Sequence, residues 1–215
     1  MKLSAVIMAH PKREHMVAAL QHKLGNPPVV YDEKNDRWDT GRRSLLAHLD
    51  TGSDYALTIQ DDAVIPPKFI TGLRNALERV PDGSPLVLYT TRTRSWGPVL
   101  DQVPHTVSYL VMDRIWWGVG VVVPTRLIEN IVAYGDGCTN PQYDHRLGSY
   151  FESEHVPVYY TWPNLCDHAD VPSLIPGRSS RRRAQNYARM RADRLRWHGT
   201  IQKVDPPADI ETPAR

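Results

Sequence analysis

Long apolar runs are missing from this chain of 215 residues. None approaches the roughly 18 consecutive apolar residues that span a bilayer, so no segment is expected to cross a membrane. The run from Leu3 to Ala9 follows Lys2 but stops at His10-Pro11-Lys12-Arg13. It is too short for a signal peptide and lacks a small-residue cleavage site, which makes a cytoplasmic protein the expectation. Cysteine is scarce as well. Cys138 and Cys166 cannot build a disulfide framework and lack the paired spacing of a zinc ribbon, so both are read as packing residues. There is no internal repeat, no P-loop sequence and no further acidic cluster with two-metal spacing, which argues against a phosphotransferase or a nuclease. Net charge is only +2, yet it is unevenly spread. Residues 178–197 hold eight Arg against the single acid Asp193, a local charge of +7, so the rest of the chain sums to −5.

What is present is a chain with 41% hydrophobic residues, long enough for one substantial core and better suited to one domain than two. Leu3 to Ala9 reads as a buried strand. A helix follows over 14–24, with Met16, Val17, Leu20 and Leu24 at helical spacing and Gly25-Asn26-Pro27-Pro28 as its stop. Val29-Val30-Tyr31 forms a short strand ending at Asp32. Asp39 or Thr40 would cap a second helix carrying Leu45, Leu46 and Leu49. Tyr55 to Ile59 is a strand leading into Gln60-Asp61-Asp62, and Pro66-Pro67 opens a helix with Phe69, Ile70, Leu73 and Leu77 on one face. Strands at 86–90, 107–112, 121–123 and 156–161 and helices at 124–133 and 143–151 complete the core. Short apolar strands alternating with helices predict an α/β domain around a mostly parallel sheet. Ligands in such sheets bind beyond the carboxyl ends of the strands, where His10, Asp32 and Asp61-Asp62 fall. The expected organisation is a domain over 1–176, a basic helix over 177–199, and a Pro-rich, disordered tail over 200–215.

Two adjacent carboxylates after an apolar strand raise each other's pKa unless a cation or donor compensates. Either Asp61 and Asp62 make a solvated turn before Pro66-Pro67, or they hold a hard divalent cation. Read whole, Ser53-Asp54-Tyr55-Ala56-Leu57-Thr58-Ile59-Gln60-Asp61-Asp62-Ala63-Val64-Ile65 resembles the segment leading into the DxD motif of GT-A glycosyltransferases. The resemblance extends loosely over residues 3–175 and implies a Rossmann-like, mixed but mostly parallel sheet flanked by helices. It places Gln60 at the first motif position, which contacts the nucleotide, and Asp62 at the last, which binds the metal under the donor diphosphate. Gln60 departs from the acid usual there. The same resemblance implies a nucleotide role for His10, Arg13, Asp32, Arg42, Arg43 and Asp61. The segment from Trp162 to Leu174 resembles the stretch after the last core strand in bacterial and phage glycosyltransferases related to the lipopolysaccharide galactosyltransferases, where a histidine can complete the metal site. His168 would be that ligand, and an imidazole tilts the metal from Mg²⁺ towards Mn²⁺.

Tyr143-Asp144-His145-Arg146-Leu147 resembles the family's helix-start acid in the acceptor half. Asp144 is thus the candidate base for an inverting transfer, a simple N-cap being the alternative. Trp116, Trp117 and Gly118 would wall the acceptor side. The resemblance therefore implies a metal-dependent hexosyltransferase with a nucleotide-sugar donor, UDP-linked. Small proteins of this kind resemble phage-encoded enzymes that work in the host cytoplasm. Some of those glycosylate hydroxymethylated pyrimidines in DNA. The arginine cluster, with Arg181, Arg182, Arg183 and Arg189 at its centre, fits DNA as the acceptor, or else forms a solvated face. A protein or glycan acceptor, and a non-catalytic nucleic-acid-binding protein on a degenerate GT-A scaffold, are the alternatives.

Overall fold

A computed structural model describes residues 1–174 and 183–210. The chain opens with β1 (Leu3–Ala9), α1 (Glu14–Leu24), β2 (Val29–Tyr31), α2 (Arg37–Leu46) and β3 (Tyr55–Gln60). It continues through β4 (Ala63–Val64), α3 (Phe69–Leu77), β5 (Leu86–Val87), α4 (Trp96–Leu100), β6 (Val107–Met112) and β7 (Gly120–Pro124). The last elements are α5 (Ile128–Asp136), α6 (Tyr143–Ser153), β8 (Val158–Thr161), β9 (Asp167–His168) and β10 (Thr200–Lys203).

Among the described residues, eight strands form one mixed sheet in the order β10-β6-β8-β5-β7-β3-β1-β2, and β4 and β9 make a separate two-stranded ribbon. Four of the seven pairings in the large sheet are parallel: β1 with β2, β1 with β3, β5 with β8, and β10 with β6. β7 runs against both of its neighbours, β3 and β5, and β6 runs against β8. Helices cover both faces, which is why these strands read as continuous apolar runs. Successive strand residues divide between two cores. Tyr55, Leu57 and Ile59 of β3 pack with α1 and α3, and Ala56 faces the other way, towards α2, α4, α5 and α6. Val122 and its neighbours Val121 and Val123 split in the same manner. Each fully buried Leu or Val contributes roughly 1.5–3 kcal/mol, so the two cores carry the fold.

Three features differ from expectation. α2 begins earlier, because Asp36 rather than Asp39 or Thr40 caps it, accepting from the Trp38 and Asp39 amides at 2.9 and 3.1 Å. Residues 183–199 contain a 3₁₀ turn at Ala192–Arg194 and no α-helix. Their apolar residues dock singly: Ala192 meets Gly72 on α3 and donates its amide to the Pro67 carbonyl at 2.9 Å, while Trp197 lies 5.5 Å from the Tyr109 ring. An extended course reaches both anchors and leaves most of the arginine heads in water. Finally, Thr200–Lys203 is ordered as β10 on the edge of the sheet, and Val204 is buried after it. The rest of the expected helix and tail, residues 177–182 and 211–215, lies outside the described residues. Among the described residues no helix is long and apolar enough to cross a membrane.

Candidate active site

Strands β1, β2, β3, β5 and β8 end on one side of the sheet, and antiparallel β7 starts there. The turns beyond these ends surround a cleft of about 310 Å³. His10 and Arg13 follow β1, Asp32 and Asn35 follow β2, and Gln60 to Asp62 close β3. Opposite them stand Trp117, Gly118 and Val119 before β7, with Gln142, Tyr143 and Asp144 at the start of α6.

Asp61 and Asp62 lie at the base of the cleft, only 4% and 2% exposed, so a solvated turn is excluded. Asp61 accepts from the His10 amide at 2.7 Å and from the Arg13 guanidinium at 3.2 Å. Burial and the adjacent Asp62 charge hold its pKa above the usual carboxylate value, against the pull of the His10 amide and Arg13. Asp62 receives a second bond from the same Arg13 nitrogen, and its Oδ2 lies 3.1 Å from His168 Nε2. Burial alone would raise Asp62, but His168 and Arg13 together bring it below the ordinary value. His168 Nδ1 faces the Ala169 carbonyl at 2.7 Å, so that nitrogen carries the proton. Burial disfavours the imidazolium, yet Asp62 and that carbonyl together raise the His168 pKa.

His168 reaches Asp62 through backbone pairing. Ala63 and His168 are opposite each other in the β4–β9 ribbon, and the Ala169 amide donates to the Asp62 carbonyl at 2.8 Å. One oxygen of Asp62, Oδ1, is buried with no hydrogen-bond partner. Such an orphaned carboxylate oxygen beside an imidazole suits a divalent cation. Among the described residues no group of three or more His, Cys, Asp or Glu side chains is arranged to hold a metal ion by itself. The protein would thus supply Asp62 and His168 and leave the other positions to phosphate and water.

The opposite wall is held differently. Residues 113–119 cross from the far end of β6 back to the cleft, and Arg114 anchors them. Its side chain is 1% exposed and bonds Glu152 at 3.1 Å, Ser149 Oγ at 3.1 Å and the His145 carbonyl at 3.3 Å, all on α6. The Tyr160 hydroxyl accepts from the Trp116 amide at 2.9 Å and donates to the Arg114 carbonyl at 2.8 Å. These braces set Gly118 against Asp144: a Cβ at position 118 would stand 2.9 Å from that of Asp144. Gly41 of α2 likewise lets the Tyr143 ring lie directly on its backbone.

The cleft therefore gathers His10, Arg13, Asp32, Gln60, Asp61, Asp62, Trp117, Gly118, Asp144 and His168. It does not include Trp116, whose ring packs on Trp96 and under Arg114. Arg42 and Arg43 are also elsewhere: Arg42 pairs with Asp136, and Arg43 pairs with Asp39 and donates to the Tyr31 carbonyl. The true start of α2 puts Arg37 and Thr40, rather than those two arginines, on the cleft. An Asp36 cap was the signal that could have found them. Tyr89, Thr91, Ser173 and Leu174 complete the lining without any sequence signal of their own. Arg183 and Arg189 line a second cavity, and Arg181 and Arg182 lie outside the described residues.

No protein-family model matches the sequence, and neither does any curated protein sequence. Among solved structures, A197 from STIV is similar over 87% of this chain and 98% of its own, with 13% identity and a TM-score of 0.48. A glycosyltransferase involved in glycosylation of the major capsid of PBCV-1 matches over 73% and 80%, with 13% identity and a TM-score of 0.37. A Drosophila β1,4-galactosyltransferase 7 variant in complex with manganese, UDP-Gal and xylobiose matches over 96% and 95%, with 11% identity and a TM-score of 0.43. Identities and scores are low in all three, so the chemistry has to be read from the cleft's own residues.

Proposed function

We propose that this protein is a metal-dependent glycosyltransferase of the GT-A type, transferring a sugar from a UDP-linked donor to the hydroxymethyl group of a pyrimidine in DNA. The observation that carries the reading is the buried Asp61-Asp62 pair at the end of β3. Asp62 keeps one oxygen unpartnered beside His168, in the same cleft as Asp144. Asp62 and His168 would hold the cation, with manganese favoured by the imidazole. When bound, that cation neutralises the diphosphate leaving group.

This chain's own residues do the rest. Asp32, Gln60 and the turn at His10 orient the nucleotide, and Arg37 adds a positive charge at that end of the cleft. Arg13 sets the two aspartates in place through its shared guanidinium bonds. Asp144 takes the proton of the acceptor hydroxyl as its oxygen bonds to the anomeric carbon, and the bond from that carbon to the diphosphate breaks, giving inversion. Trp117 and Gly118 exclude water from the acceptor side. A base in duplex DNA would be flipped out to enter the cleft.

A panel of nucleotide sugars with Mn²⁺, followed by mass spectrometry of hydroxymethylcytosine and hydroxymethyluracil DNA, tests the reading. Sugar transfer by the wild type and none by Asp62→Ala is expected. No turnover of any donor, with or without DNA, refutes the enzyme and leaves a nucleic-acid-binding protein. Donor turnover without DNA modification moves the acceptor to a protein or glycan.

A further inference from the structure

Behind the β4–β9 ribbon lies a second cavity, of about 540 Å³, which the chemistry above does not use. The ribbon divides it from the cleft. Side chains alternate across a strand, so His168 faces the cleft, whereas its neighbour Asp167 and the paired Val64 line the second cavity. The other walls come from Arg183 to Arg189, a tongue bound to the rim of the cleft. The Thr91 hydroxyl, on the cleft lining, donates to the Arg183 carbonyl at 3.1 Å, and the Gln185 amide donates to the Thr90 carbonyl at 3.0 Å.

The polar groups of this cavity are unequally occupied. Asp167 is buried and saturated by the Ala184 amide at 2.7 Å, the His168 amide at 2.8 Å and Arg183 at 3.3 Å. The one acid among the described lining residues is thus already partnered. Arg189 is exposed and, among the described residues, has no carboxylate partner. Asn186 and Tyr187 stand beside it, half-buried, offering an amide and a phenol. A guanidinium without a counter-charge, with neutral donors at its side, matches a phosphate, whose oxygens accept two parallel N–H bonds.

We propose that this cavity is a phosphate subsite through which the acceptor is held: a backbone phosphodiester docks on Arg189, with Asn186 and Tyr187 supporting it, on the far side of the ribbon from Asp62. The assignment of that phosphate to an acceptor rests on the glycosyltransferase reading; the anion site itself does not. Arg183 has a different part, since it is tied to Asp167 and shapes the wall.

Binding of a fluorescein-labelled DNA oligonucleotide, followed by anisotropy across a salt series, tests the site. Arg189→Glu should weaken binding at least tenfold, and Arg189→Ala should reduce the salt slope by about one, the share of a single phosphate contact. Arg189→Lys should recover part of the affinity by keeping the charge. Inorganic phosphate is the second probe. If it binds the wild type as tightly per site as DNA does, and Arg189→Glu abolishes that, the site stands with free phosphate as its ligand. Equal DNA affinity in the wild type and Arg189→Glu, with circular dichroism showing both folded, overturns the proposal. So does a wild type that binds neither probe. Donor turnover by the wild type is measured alongside: its absence defeats the glycosyltransferase reading and leaves the anion site to be judged on binding alone.

Discussion

The two walls of the cleft are made from different materials. On the β1–β3 side, short turns at the ends of three parallel strands present their polar groups directly, and charges balance one another: two aspartates, Arg13 and His168 within bonding reach. On the α6 side, Trp117, Gly118 and Asp144 are held indirectly, by Arg114 and the Tyr160 hydroxyl standing behind them. The first wall concentrates electrostatic work at a few atoms. The second is a shape maintained by a scaffold at its back, and its carboxylate, Asp144, accepts a local bond from the His145 amide at 3.1 Å. Losses on the first wall should therefore appear as lost chemistry, and losses on the second as lost chemistry or lost geometry, depending on which layer is touched.

The sharpest way to break this contrast is Asp62→Ala. It removes the orphaned oxygen and the His168 partner together, and sugar transfer should fall by about 10³-fold. Steady-state rates at saturating Mn²⁺ measure it, and a loss under tenfold would place the chemistry elsewhere. Acid should weaken the first wall's foundation before the second. His48, beneath β1 and β3, bonds Ser4 at 2.7 Å and is held neutral by burial, which lowers its pKa from 6.5 to about 4. The unfolded chain binds that proton more readily. Stability from this group is therefore complete above about pH 6.5 and falls as the pH drops towards 4, by about 3 kcal/mol in all. Urea midpoints from pH 7 to 4 would reveal the slope, and His48→Asn should flatten it.

Asp144→Asn keeps the shape of the second wall and removes only its base, so kcat should drop about 10²-fold with the donor KM unchanged. A rise in KM alone would make Asp144 a structural residue. The smallest effect is expected from Arg37→Ala, a loss of one charge at the cleft edge: about a tenfold rise in donor KM with kcat kept, against no change for Arg42→Ala.

Much of the first wall was legible because strand ends are. The apolar run of β3 stops at Gln60, the polar residues that follow must lie at its carboxyl end, and the same logic located His10 and Asp32. His168 was reachable only by resemblance, because a two-residue ribbon has no period to read. The second wall was harder. Gly118 and Asp144 meet through packing of a crossing segment on a helix, and nothing in the spacing of 118 and 144 announces it. Arg42 and Arg43 were misplaced by a single capping choice. Reading Asp39 or Thr40 instead of Asp36 as the cap slides the helix start by three or four residues and brings different side chains to the cleft. The arginine-rich stretch misled through composition: over 183–199 its helical promise gave way to separate buried anchors at Ala192 and Trp197.

The position of β7 also has a consequence for how the chain is made. β3 acquires β1 as a neighbour within the first 60 residues, but its other edge is covered only by Gly120–Pro124. While the ribosome adds those intervening residues, β3 offers an open edge on a strand whose first five residues are all buried in the finished protein. Such edges recruit foreign strands, and vectorial synthesis leaves this one uncovered until Gly120–Pro124 has been made. A product released after α3 would carry a complete turn from Gln60 to Asp62 on an unfinished sheet, and its fate would be aggregation.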